Sequence, residues 1–151
     1  MSLQIIEYSS NYYFDLFKIL KDNYNTNITQ HELECNYVTD NQSIYLALLD
    51  KKIVGCAFLE IKNDYVRSYK YGFISYVAVD IEYRHRGIGK KLIETLIHIS
   101  KNIGCTAVEL TSANYRLTAH KFYETLGFTK KKTSVFIKEL YSWFVRLVII
   151  I

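Results

Sequence analysis

The chain has 151 residues, 50% hydrophobic and 23% charged, with 19 Lys and Arg against 15 Asp and Glu for a formal net charge of +4. That length is one ordinary domain able to bury a core, and the balance is that of a soluble globular protein. The charge permits an anionic ligand but lacks the dense basic stripe that nucleic-acid binding calls for.

The first residues, MSLQIIEYSS, have neither the basic start nor the long apolar stretch of a secretory signal. The longest apolar run, WFVRLVIII at 143–151, is interrupted by Arg146 and reaches about half the ~20 residues of a membrane helix, so no spanning segment is expected. Cys35, Cys56 and Cys105 are an odd set without metal-type spacing, each in or beside an apolar segment. They read as buried free thiols in a reducing cytoplasm, with no metal site.

In chain order, LQIIEY (Leu3 to Tyr8) reads as a strand, and SSNYYFDLFKILKDNY as a helix with Tyr13, Phe14, Phe17 and Leu20 at helical spacing. ITQHELECNYV is a second, shorter helix, opened by Thr29 with Glu32 three residues on, a capping-box pattern. SIYLALLDKKIVGCAFLEIK is two apolar runs joined at Asp50-Lys51-Lys52, a tight hairpin. YKYGFISYVAV is a strand ending at Val79. GIGKKLIETLIHISKNIG carries apolar residues at Ile88, Leu92, Ile93, Leu96, Ile99 and Ile103, with Gly104 where a C-terminal cap belongs. TAVELT is a strand, LTAHKFYETLG a helix closed by Gly127, and KTSVFIKEL (Lys132 to Leu140) a last strand. The order β-α-α-β-β-β-α-β-α-β predicts an α+β domain over 1–140, a mixed sheet with helices on its faces. Residues 141–151 form an apolar extension, read as packing on a partner subunit or covering a groove.

The chemistry concentrates where the strand ending YVAV meets Arg84-His85-Arg86-Gly87-Ile88-Gly89-Lys90 and a helix starts at once. The first N–H groups of a helix lack internal partners and carry partial positive charge, and glycines let a phosphate approach the main chain. Arg84, Arg86 and Lys90 would add charge around it. A Walker loop fails, because Arg84 stands where its first Gly and Lys91 where its Ser or Thr belongs. A dinucleotide fingerprint fails at Leu92.

What fits is R-x-x-G-x-G, which resembles the acyl-CoA-binding loop of the GCN5-related N-acetyltransferase (GNAT) superfamily. A second stretch, ELTSANYRLTAHKFYETLGF, is similar to the signature of a strand, an Asn and a helix with A-x-x-F-Y-x-x-x-G-F, matched by Asn114, Ala119, Phe122, Tyr123, Gly127 and Phe128. The resemblance implies the GNAT fold, a largely antiparallel mixed sheet splayed between the fourth and fifth strands. It also implies acetyl-CoA as cofactor, bound by Val77, Ala78 and Val79, by Arg84, His85, Arg86, Gly87, Ile88, Gly89 and Lys90, and by Asn114. Tyr123 would be the acid that protonates the leaving thiolate. On residue type alone Tyr123 reads as core, one tyrosine among 14.

The family's usual acidic positions hold Ser75 and Tyr76, so the base would be a water chain, bulk solvent, or a carboxylate such as Glu32, Glu34 or Glu109. The resulting expectation is a cytoplasmic N-acetyltransferase acting on a small-molecule amine, with no nucleic-acid or membrane partner and a possible homodimer. A non-catalytic acyl-CoA sensor and an enzyme acting on protein amines stand as alternatives.

Overall fold

The structure, a computed structural model, describes residues 2–140. Its elements are β1 (Leu3–Glu7), α1 (Tyr13–Tyr24), α2 (Gln30–Tyr37), β2 (Gln42–Leu49), β3 (Lys52–Asp64), β4 (Tyr69–Val79), α3 (Ile88–Ile103), β5 (Ala107–Leu110) and α4 (Leu117–Thr125). The sheet runs β1-β2-β3-β4-β5, with the first three pairings antiparallel and β4 parallel to β5.

Period-two alternation splits the apolar side chains between two faces. From β2 and β3, Ile44, Leu46, Cys56 and Phe58 pack with Leu16, Ile19 and Leu20 of α1 and Leu33 of α2. Their neighbours Ala47, Val54, Ala57 and Leu59 pack on the other face with Ile88, Leu92, Ile93 and Leu96 of α3. Because β3 is covered on both sides, its residues Ile53 to Leu59 are all buried, as a central strand requires.

Local signals set the ends. The β2–β3 turn places Asp50 and Lys51 at φ 47° and 69°, the type I′ geometry that suits the twist of a two-residue hairpin. Thr29 and Glu32 form both bonds of the capping box at the start of α2. Gly104 closes α3 in the left-handed region at φ 93°. A 3-10 turn, Ser10–Tyr12, precedes α1 and rotates its buried stripe. Leu16, Ile19 and Leu20 are therefore inside, while Phe14, expected on the core face, lies outside.

Glu34 of α2 fastens that helix to the chain after β1, accepting hydrogen bonds from the hydroxyls of Tyr8 (2.9 Å) and Ser10 (2.8 Å) and from the Gln30 amide (3.0 Å). These donors, Gln30 first, hold its carboxyl below the usual carboxylate range. A depressed folded-state pKa makes this contribution complete above the unfolded pKa and removes it as pH falls through the folded one. Glu34→Gln should therefore flatten the acid limb of the urea midpoint measured against pH, and leave its neutral-pH slope unchanged.

Two expectations are corrected. The last strand, Lys132–Leu140, does not form: residues 129–140 have no regular structure, and Val135, Phe136 and Ile137 are largely exposed. An alternating pattern makes a strand only beside a paired edge, and among the described residues none lies beside this segment. The link to the sheet there is an ion pair from Lys131 to Glu109 of β5. Of the three cysteines only Cys56 is buried, while Cys35 is exposed and Cys105 half-buried. The extension at 141–151 lies outside the described residues. No helix among the described residues is long and apolar enough to cross a membrane.

Candidate active site

The strands β4 and β5 pair only from Tyr71–Ala107 to Ile74–Leu110, after which β4 runs on to Val79 with no strand on that side. This is the expected splay. On the opposite edge Phe58 faces Ser75 and Cys56 faces Ala78, so Ala57 of β3 stands against both Tyr76 and Val77 of β4. That extra residue is a β-bulge. It puts Tyr76 at φ 48°, the left-handed region that costs a bulky L residue strain.

The bulge decides which main-chain groups reach the gap. The Val77 carbonyl accepts the Tyr24 hydroxyl at 3.2 Å, and the Val79 carbonyl accepts Arg84 Nε at 3.2 Å. Both therefore point away from β3, and since a strand residue's N–H and C=O share a side, their N–H groups face the gap as well. Ala78 does not: it is paired with Cys56 of β3, and its side chain is in the core under α1.

Beyond β4, the Asp80 carboxylate accepts from Glu82 N–H at 3.0 Å and caps a 3-10 turn at Ile81–Tyr83. His85 and Gly87 then take φ 60° and 77°, and left-handed residues flanking Arg86 coil the backbone into a concave nest. The first helical N–H with an intrahelical partner is Lys91, bonded to Gly87 O at 3.0 Å. No hydrogen bond among the described residues takes the N–H of Gly87, Ile88, Gly89 or Lys90. A Cβ at Gly87 would meet nothing within 4 Å, and one at Gly89 only Val79 at 3.9 Å, so the open face of the turn is uncovered.

The basic side chains brace this turn. Arg84 joins the Val79 carbonyl to Asn23 Oδ1 of α1 (3.0 Å), and Arg86 donates to Glu82 O (3.0 Å) while lying over the Tyr83 ring. Lys90 pairs with Glu94 one turn on. What the turn offers an anion is mainly main-chain N–H and the α3 dipole.

Across the gap, Tyr123 of α4 is half-buried beside Phe122 and Phe128. Its hydroxyl makes no hydrogen bond among the described residues, and it lies close enough to act electrostatically on Tyr24, as does Arg116 at the start of α4. Tyr24 thus bonds Val77 and lies within electrostatic reach of Tyr123. Asn114 is exposed in the turn before α4, where His120 Nε2 donates to the Ala113 carbonyl at 2.9 Å. Just after β5, Ser112 Oγ is buried without a hydrogen-bond partner among the described residues.

Residue-type reasoning missed an aromatic cluster at the bulge. Tyr76 meets Tyr24 (ring centroids 5.3 Å, 87°), Phe58 (5.1 Å) and Tyr37 (5.9 Å, 86°). Burial first, then Cys56, pushes the Tyr24 hydroxyl up to about 12, and hydrogen bonding to Tyr76 and burial push Tyr37 up to about 12. The Cys56 thiol is likewise pushed up to about 12 by burial. None of these is a base at neutral pH. The candidate carboxylates are engaged: Glu32 in the α2 cap, Glu34 with three donors, Glu109 with Lys131.

A strand gap with main-chain groups on one lip, ending in an uncovered anion nest, fits an extended thioester ligand that terminates in phosphates, the shape of an acyl-coenzyme A. The class this defines is an acyl-CoA-dependent acyltransferase. The sequence from 10 to 128 matches the model of the acetyltransferase (GNAT) family, and the chain belongs to that family, whose members take the acetyl group from acetyl-CoA. It is 44% identical over 78 residues to a glucosamine 6-phosphate N-acetyltransferase of Trypanosoma brucei brucei, covering 51% of each chain. It is 31% identical over 91 residues to N-alpha-acetyltransferase 30 of Xenopus laevis, covering 60% of this chain and 33% of that protein. The chain therefore spans about a third to a half of the length of these relatives. In fold it is similar to the crystal structure of a Trypanosoma brucei acetyltransferase, with a TM-score of 0.77 and 26% identity over 91% of this chain and 100% of that one.

Proposed function

We propose that the protein transfers the acetyl group of acetyl-CoA to a primary amine of a small molecule by direct attack in a ternary complex. The observation that supports this is the run of free N–H groups at Gly87–Lys90 directly after a strand end whose Val77 and Val79 carbonyls bond side chains rather than β3, with Tyr123 near enough to act on Tyr24. Acetyl-CoA supplies an activated thioester carbonyl. The nest holds the phosphates, Val79 and Val77 align the chain that leads to the thioester, and one of their N–H groups polarises its carbonyl. Tyr123 donates a proton to the sulfur as the thiolate leaves. Asn114 closes the gap from the β5 side, and water carries off the amine's proton.

Isothermal titration with acetyl-CoA followed by thiol release across a panel of amines tests this reading. Micromolar binding with turnover on a small amine supports it, and absent binding overturns it. The similarity to an N-alpha-acetyltransferase favours peptide α-amines as the second reading, so the panel includes short peptides.

With the nearby carboxylates engaged, the amine must enter uncharged, so kcat/KM should rise with pH with unit slope up to the pKa of the amine itself. Two amines of different pKa should shift the inflection by that difference. An inflection that stays fixed would reveal an ionising group of the enzyme.

A further inference from the structure

The acceptor side of the bulge has a chemistry of its own. Tyr24 and Tyr76 are 43% and 41% exposed, high for two rings in contact, and they meet edge to face at 87°. Tyr37 also meets Tyr76, at 86° with ring centroids 5.9 Å apart. Rings set at right angles form an open corner of π faces, which attracts a cation. Tyr37 is also a wall of an adjoining cleft of about 560 Å³, lined by Asn27, Ile28, Glu32, Asn36 and Gln42.

Within that cleft Glu32 is held ionised. Both of its capping bonds fall on Oε2, from the Thr29 N–H (2.9 Å) and hydroxyl (2.8 Å), and no hydrogen bond among the described residues uses Oε1. The backbone donor of Thr29 leads in keeping this carboxyl below its ordinary range. From Val77 outward the path therefore runs through Tyr76 and Tyr24, then Tyr37, then a carboxylate. The charges that act here from neighbouring elements are Arg116, on Tyr24 from α4, and His31, on Glu32 within α2.

We propose that the acceptor is a small amine carrying a second cationic centre: the reacting nitrogen, uncharged, meets Val77, and the retained ammonium lies between the faces of Tyr24, Tyr37 and Tyr76 and the Oε1 of Glu32. This rests on the acetyltransferase reading and names its substrate class. A neutral nucleophile beside a permanent cation resolves the conflict between a site that must attract an amine and a reaction that needs it deprotonated.

The test uses the full chain and probes that cannot be acetylated: a bis-trimethylammonium alkane, its mono-trimethylammonium counterpart, and an alkyl carboxylate of the same length, each titrated calorimetrically. The bis-quaternary probe should bind about tenfold more tightly than the mono form, in line with one cation–π and carboxylate contact set. Tyr24→Leu and Glu32→Gln should each weaken it about three- to tenfold. Glutamine keeps the capping box, and Tyr24→Phe, which keeps the ring face, should leave probe affinity unchanged. Three outcomes overturn the proposal: undetectable or equal binding of the two cationic probes, no loss in Tyr24→Leu and Glu32→Gln, or preference for the carboxylate, which would assign the site to Arg116. Thiol release from acetyl-CoA with any amine is measured in parallel. Its persistence alongside a failed probe series sinks the dication alone, and loss of acetyl-CoA binding sinks the underlying reading.

Discussion

Replacing Tyr123 by phenylalanine is expected to lower kcat by about two orders of magnitude or more, the usual worth of a positioned general acid, while the dissociation constant for acetyl-CoA changes less than about threefold. The substitution keeps the ring that packs between Phe122 and Phe128 and removes one oxygen. That oxygen has no hydrogen-bond partner among the described residues, so nothing in the fold depends on it and the thermal midpoint should stay within a degree or two. A structural tyrosine would show the reverse, with a lower midpoint and unchanged turnover. The leaving group adds a readout that packing cannot mimic. An enzyme relying on Tyr123 to protonate the thiolate loses part of its dependence on that step when given an acetyl thioester with a more acidic leaving thiol. The kcat deficit of Tyr123→Phe should therefore shrink with such a thioester. A constant deficit would assign the hydroxyl to substrate positioning instead.

The strand end, the glycine turn and the helix after it were readable because their signals are local. A β-branched run, glycines at 87 and 89 and an amphipathic helix are short-range features, and strand alternation alone says that Val77 and Val79 share a side. What it could not show was the bulge, because one extra residue in β4 becomes visible only through its pairing with β3. That missing residue count reverses the direction of Tyr76 and creates the aromatic corner from rings at 24, 37 and 76, which no spacing rule connects. The bonds from Arg84 and Arg86 to the Val79 and Glu82 carbonyls were hidden for a related reason: a basic residue beside a glycine turn reads the same in sequence whichever main-chain group it also holds. The expected strand at Lys132–Leu140 had the right alternation, but a strand is a property of two segments, and its partner is not in the pattern. The base stayed out of reach because Glu32, Glu34 and Glu109 differ only in what holds them, which is tertiary information.

Gly72→Ala should destabilise the protein by about 1–3 kcal/mol, the typical cost of overpacking a well-filled core. A Cβ at Gly72 would lie 2.5 Å from Ser100 Oγ, 3.2 Å from Ser100 Cβ and 3.2 Å from a Leu59 methyl. Ser100 is fully buried and its hydroxyl donates to the Leu96 carbonyl at 2.8 Å, so it has no free direction in which to retreat. The strain must move α3 away from β4, or β4 away from β3. Gly72 sits in the stretch where β4 pairs with Val108 of β5, at the closed end of the gap, and α3 carries the anion nest at its other end. Movement of either element therefore reaches the cofactor site through rigid structure, and acetyl-CoA affinity should fall in the same variant although Gly72 touches no proposed ligand contact. Ser100→Ala removes the 2.5 Å contact but keeps both contacts at 3.2 Å, so the double variant should recover part of the loss. Urea midpoints for the two singles and the double give the coupling, expected at about 0.5–3 kcal/mol for residues in direct contact. Additive effects would mean that the helix had already yielded elsewhere, and that the spacing of α3 from β4 is not set at this glycine.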